Sequence, residues 1–154
     1  MLKALELKIP PPVVGALTAA AMWAFARPGG DTATLSGAHW LIVAVLAGIG
    51  ALFDFSALFA FRRAKTTVNP MKPGATTAIV NSGVYRISRN PMYVGLAFFL
   101  CAWAVYLGSP LALLGPIAFV AYITRFQIIP EERVLIRMFG VDYETYKTRV
   151  RRWL

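Results

Sequence analysis

Residues 38–61 carry one charge, Asp54, in twenty-four positions. Coiled as a helix, such a run reaches across the ~30 Å hydrocarbon core of a bilayer, which takes about 17–25 residues. Three more apolar runs occupy 10–27, 91–107 and 110–129; the first is short and reaches span length only with its flanking residues. A chain of 154 residues that is 58% apolar and 15% charged, with a mean hydropathy of +0.60, has too little polar surface to shield four such runs from water. The pattern predicts an all-α integral membrane protein with four transmembrane helices, built as a single domain over 1–154.

The basic residues orient it. Lys3 and Lys8 precede the first run, and Arg62, Arg63, Lys65, Lys72, Arg86 and Arg89 fill the connection between the second and third. Arg125, Arg133, Arg137, Lys147, Arg149, Arg151 and Arg152 lie at or beyond the end of the fourth, and Arg27 alone falls on the other side, a split of fifteen to one. By the positive-inside tendency both termini and the long connection are cytoplasmic. The net charge of +9 would suggest nucleic acid in a soluble chain. Here it reads as a topology signal, with attraction to anionic headgroups beside it, so membrane lipids are the expected partners and nucleic acid is not. Pro10, Pro11 and Pro12, and the lack of a small-residue cleavage site, argue against a cleaved signal peptide. The single cysteine, Cys101, leaves no internal disulfide and no multi-cysteine zinc site, and no metal is expected.

The connection 62–90 is too long to be a plain link. It ends in turn residues and then Asn90 and Pro91, which suit a helix N-cap and first helical position. Gly108, Ser109 and Pro110 turn the third run back into the fourth as a helical hairpin. Residues 131–154 read as two short helices, the first stopped by Gly140 and the second capped by Asp142. Tyr143, Tyr146, Val150 and Trp153 recur at helical spacing among arginines, as in an amphipathic helix on the inner leaflet or over a site. Asp54 is expensive in hydrocarbon and should face the bundle or a wet cavity, paired with an arginine, near substrate, or held by a structural partner. His39, beside Trp40, reads as interfacial.

Two polar signals sit at the edge of this apolar bundle. One is Ser82, Gly83, Val84 and Tyr85 with Arg89, Asn90, Pro91, Met92, Tyr93 and Gly95; the other is Glu131 and Glu132 with Phe139, Gly140, Tyr143 and Tyr146. In this order they resemble the isoprenylcysteine carboxyl methyltransferases and the related phospholipid N-methyltransferases, integral-membrane enzymes that use S-adenosyl-L-methionine. The matching part is 77–153. The resemblance implies that Thr77, Ala78, Ile79 and Val80 give backbone contacts to the cofactor. It implies a pocket lined by Tyr85, Arg89, Asn90, Pro91, Met92 and Tyr93, with Glu131 on the cofactor's ammonium and Glu132 free to pair with basic residues. A carboxylate would suit the N-terminus of the third helix, where N–H groups and the dipole favour an anion. Two positions depart from the family pattern. Asn90 stands where histidine is usual, and Gln127 stands where the family keeps an arginine for the substrate carboxylate. Arg125, two residues earlier, points to roughly the opposite face. Gln127 and Arg125 are the candidates on the acceptor side. The function implied is S-adenosylmethionine-dependent methyl transfer to a lipophilic acceptor, such as an isoprenylcysteine carboxylate or related small lipid, at a bacterial inner membrane. Phospholipid N-methylation and a non-catalytic subunit of the same fold are the alternatives.

Overall fold

The computed structural model describes residues 5–26, 36–64 and 79–154. Regular structure among them is helical: α1 (Pro11–Ala26), α2 (Gly37–Ala64), α3 (Pro91–Leu107), α4 (Leu114–Ile123), α5 (Ile129–Phe139) and α6 (Val141–Arg149). Single 3-10 turns, Gly83–Arg86 and Pro110–Leu113, lead into α3 and α4, and a π-helical segment, Thr124–Ile128, joins α4 to α5.

Two stretches are long and apolar enough to cross a membrane, Gly37–Arg63 and Pro110–Phe139. The other two apolar helices, α1 and α3, have 16 and 17 residues, roughly 25 Å each. On α2 the side chains of Leu41, Ile42, Val45, Leu52, Phe55 and Phe59 are all exposed. A helix with that face in water would be a liability, whereas lipid is the solvent it matches. The molecule is a membrane protein.

α3 is the centre of the bundle. It packs along α2 on one side and against α1 and α4 on the other. Tyr93, Leu100 and Ala104 of α3 form one core with Val14 and Met22 of α1 and with Phe119, Ile123 and Ile128, and the Trp103 indole N–H donates to the Ala19 carbonyl at 3.1 Å. The crossing with α2 is set by glycines. A Cβ on Gly50 would lie 3.0 Å from the Gly95 carbonyl oxygen, and one on Gly95 would lie 2.9 Å from the Gly50 carbonyl oxygen and 2.8 Å from Asp54 Cγ. Lipid gives no hydrophobic drive for helix association, so such close backbone approach supplies the contact.

The helical stretch predicted over 110–129 continues beyond 129. Pro130 lacks an N–H and its ring would clash with the Phe126 carbonyl in a regular α-helix. The π-segment widens that turn, so the chain runs on helically to Phe139. The Phe126 carbonyl instead accepts the Leu7 N–H at 3.0 Å, from an N-terminal strap in which Leu7 takes φ 56°. Glu131 and Glu132 therefore lie within a continuous helix. The tail corrects a second expectation. Gly140, at φ 52° and ψ −126°, both ends α5 and begins α6, a conformation open to glycine, so Asp142 sits inside the first turn and does not cap it. α6 stops at Arg149, Val150 is extended, and Trp153 leaves the helical face to donate from its indole N–H to Thr124 Oγ1 at 3.0 Å.

Gly95→Ala should lower stability by about 1–3 kcal/mol through overpacking. Gly48→Ala, whose Cβ meets nothing within 4 Å, should be neutral or stabilising by up to ~1 kcal/mol from helix propensity. Thermal melting of the purified variants in detergent gives the comparison.

Candidate active site

The tail folds back onto the start of α3. Ser88 and Arg151 form an isolated parallel bridge, and the Arg89 N–H donates to the Arg151 carbonyl at 2.9 Å. The Arg152 carbonyl accepts from Asn90 Nδ2 at 2.9 Å and from the fully buried Ser88 hydroxyl at 3.3 Å. Asn90 occupies the N-cap position of α3 without capping it through its side chain, because that amide is committed to the tail.

Glu132 is the charged centre of this junction. It is 6% exposed and accepts Arg152 Nε at 3.1 Å and Nη2 at 2.8 Å. Arg89 Nη1 approaches Glu132 Oε1 to 3.1 Å, yet off the hydrogen-bonding direction, and Arg89 Nε and Nη1 are buried donors with no hydrogen-bond acceptor among the described residues. The expected pairing of Glu132 with nearby basic residues is what the structure has.

Glu131 points the other way. Tyr93 Oη and Gln127 Nε2 each donate to Glu131 Oε1 at 2.7 Å. Tyr93 and Gln127 are buried, while Glu131 keeps partial exposure. Tyr85 closes the far wall: its ring meets Phe61 edge-on at 5.4 Å, and its carbonyl accepts Tyr146 Oη at 2.7 Å. Burial pushes the Tyr85 phenol well above its usual range, and the charges of Glu131 and Asp54 push the same way.

The structure thus gathers Tyr85, Arg89, Asn90, Pro91, Met92, Tyr93, Gln127 and Glu131 around the first turn of α3 and the π-segment. Val80 packs under Tyr85 and Ile79 against the Tyr143–Tyr146 cluster; Thr77 and Ala78 lie outside the described residues. Arg125 is not brought to Glu131. It pairs with Glu6 at 2.9 Å, together with Arg133, and its guanidinium holds the Glu6 carboxyl below the usual carboxylate range. Two open clefts flank the site. One, of about 700 Å³, is lined by Ile79, Asn81, Arg86, Asp142, Tyr146 and Arg149. The other, of about 840 Å³, lies between Phe55, Leu58 and Phe59 of α2 and residues 82–84, with Arg62 and Arg63 at its rim. Sequence reasoning missed Ser88, Arg152 and Glu6. Glu6 carried a signal as the one acidic residue ahead of the first apolar run, and Arg152 carried one only as part of a basic run.

Comparison with known proteins gives the class of this helical membrane protein, the methyltransferases. The family described as phospholipid methyltransferase matches residues 39–142, and the chain belongs to that family. An uncharacterized protein of Haemophilus influenzae is 49% identical over 63 residues, 41% of this chain and all of that one. The Protein-S-isoprenylcysteine O-methyltransferase of Saccharomyces cerevisiae is 40% identical over 78 residues, 47% of this chain and 30% of that protein. Protein-S-isoprenylcysteine O-methyltransferase A of Arabidopsis thaliana is 29% identical over 118 residues, 73% and 58% of the two chains. The chain therefore spans less than two thirds of either named enzyme. No solved structure matches it.

Glu132→Gln should cost on the order of 3 kcal/mol, because it leaves the Arg89 guanidinium, 9% exposed, without its countercharge. Arg133→Ala, at a pair whose arginine is 42% exposed, should cost less than ~1 kcal/mol. The two melting temperatures in detergent check the ranking.

Proposed function

We propose that this protein is an S-adenosylmethionine-dependent methyltransferase that acts on a lipophilic acceptor within the membrane. The observation that carries the reading is the pairing of opposite demands at one place. The amino-acid end of the cofactor has an ammonium and a carboxylate. Glu131, with Oε1 already held by Tyr93 and Gln127, suits the ammonium. The α3 N-terminus, which lacks a side-chain cap, suits the carboxylate, with the Arg89–Glu132 pair packed behind it. The 700 Å³ cleft beside Ile79 and Tyr146 leaves room for the nucleoside, with the Ile79 backbone approaching it. When bound, the cofactor supplies the activated methyl group. The chain's part is to orient the acceptor and keep water away.

The apolar 840 Å³ groove along Phe55, Leu58 and Phe59 fits the tail of an acceptor that enters from the bilayer. The names of the two relatives favour an isoprenylcysteine carboxylate. The side chains favour an acceptor without an ionised carboxyl: Gln127 already donates to Glu131, and Arg125 is engaged by Glu6. The four-span topology, with both termini in the cytosol of a bacterial inner membrane, belongs to this reading, because it puts the cofactor side of the site in the cytosol. A reporter fused after Ser109 should then report from outside the cytosol, and one at Leu154 from within; a cytosolic signal from both rejects the topology.

Glu131→Gln removes a charge-assisted contact worth about 1.5–3 kcal/mol. Affinity for S-adenosylmethionine should fall roughly ten- to a hundredfold. Calorimetry on the folded variant checks it, and unchanged affinity removes Glu131 from the cofactor site.

A further inference from the structure

Arg125 and Arg133 bracket the stretch that holds Gln127 and Glu131, and they are eight positions apart. In a regular α-helix that spacing turns two side chains about 80° from each other. The π-segment Thr124–Ile128 intervenes. A π-turn takes in one extra residue, so the eight steps cover the rotation of about seven and bring both arginines within roughly 20° of one face. A single carboxylate can then grip both, and Glu6 does: Oε1 accepts Arg125 Nη1 at 2.9 Å and Oε2 accepts Arg133 Nη2. The Leu7 N–H, next in the chain, serves the Phe126 carbonyl inside the same segment. Pro130 rules out the regular turn there, yet it does not choose between a kink and a widened turn. The strap at 6–7 bonds to the widened one. Gln127 follows Arg125 by two positions and Glu131 precedes Arg133 by two, so this pair looks away from the strap, toward Tyr93.

We infer that Glu6 is a positioning residue: by bridging Arg125 and Arg133 it holds the π-register in which Gln127 Nε2 reaches Glu131 Oε1. Its importance for the site rests on the methyltransferase reading above, in which Glu131 takes the cofactor's ammonium. Glu6 itself touches neither cofactor nor acceptor, because it grips the back of the helix whose front carries Gln127 and Glu131. A slip of one residue at the segment turns a side chain by about 100° and withdraws the Gln127 amide from the carboxylate. Glu131 Oε1 then keeps only the Tyr93 donor. Both arginines are 42% exposed, and pairs of that kind add little to overall stability. The clamp therefore acts on the register of one turn and hardly on the fold as a whole.

Gln127 is the only glutamine in the chain, so full-length protein labelled with nitrogen-15 glutamine and purified in detergent gives one side-chain amide signal to follow. The bonded Gln127 Nε2 proton should exchange with solvent at least about tenfold faster in Glu6→Ala than in wild type. Glu6→Asp, which keeps the charge, should restore most of the protection. Melting temperature should fall by no more than about 4 °C in Glu6→Ala. S-adenosylmethionine titrated on the same samples should bind Glu6→Ala roughly three- to tenfold more weakly than wild type. Should Glu6→Ala fail to fold, Arg125→Ala, which removes one half of the clamp, carries the same expectations. An unchanged Gln127 signal in the folded variant overturns the assignment, whatever happens to the melting temperature. A changed signal with unchanged cofactor affinity overturns the link between the clamp and the site. An absence of cofactor binding in wild type, with the Gln127 result as expected, counts against the methyltransferase reading and leaves Glu6 as the clamp on the Gln127–Glu131 pair.

Discussion

The site depends on how one buried carboxylate is neutralised. Glu132 cannot remain charged in a nearly closed interior without partners, and it takes them from two distant places, Arg89 just before α3 and Arg152 in the tail. That requirement draws the tail across the start of α3 and consumes the Asn90 side chain on the Arg152 carbonyl. It also fixes the rotation of α5. With Glu132 turned toward the arginines, Glu131 is turned about 100° away, toward Tyr93 and Gln127. Two adjacent glutamates so face different partners: Glu132 binds the tail to the start of α3, and Glu131 accepts from Tyr93 and Gln127.

Helices read well from the sequence because apolar length and Gly/Pro punctuation are local properties. The positions of α2, α3 and the Gly108 turn follow from them directly. Pro130 misled for the same reason. Locally it reads as a break, yet the π-segment and the Leu7 N–H satisfy what it disrupts, and that donor lies more than a hundred positions away. Arg151 and Arg152 were legible as charge but not as structure, since a basic run at a membrane surface has a sufficient explanation in topology. The candidate site residues were named by family pattern. Their division of labour was not, because whether Glu131 or Glu132 takes the arginines is decided by the tail's path, which no local signal encodes.

The membrane context also explains the style of the packing. Where a soluble bundle would interlock large side chains throughout, α2 and α3 approach most closely at Gly50 and Gly95, and α2 turns Leu52, Phe55 and Phe59 outward. The polar network is confined to the end of the bundle where α3 begins and the tail returns, and the Tyr143, Tyr146 and Val150 cluster roofs it with Leu135 and Phe139. Asp54 is the exception, a polar group one layer deeper than the rest.

The strap at Leu7 has a consequence for the order of assembly. Residues near 7 are made well before the partners they reach, the Phe126 carbonyl that Leu7 serves and the Arg125 and Arg133 that Glu6 joins. The segment around Leu7 must therefore wait until the helix that carries Phe126 has formed before it can dock. Docking then closes the chain into a loop of about 120 residues and completes the backbone bonding at the helix's weakest turn. The N-terminal segment works as a latch that closes only on a finished bundle.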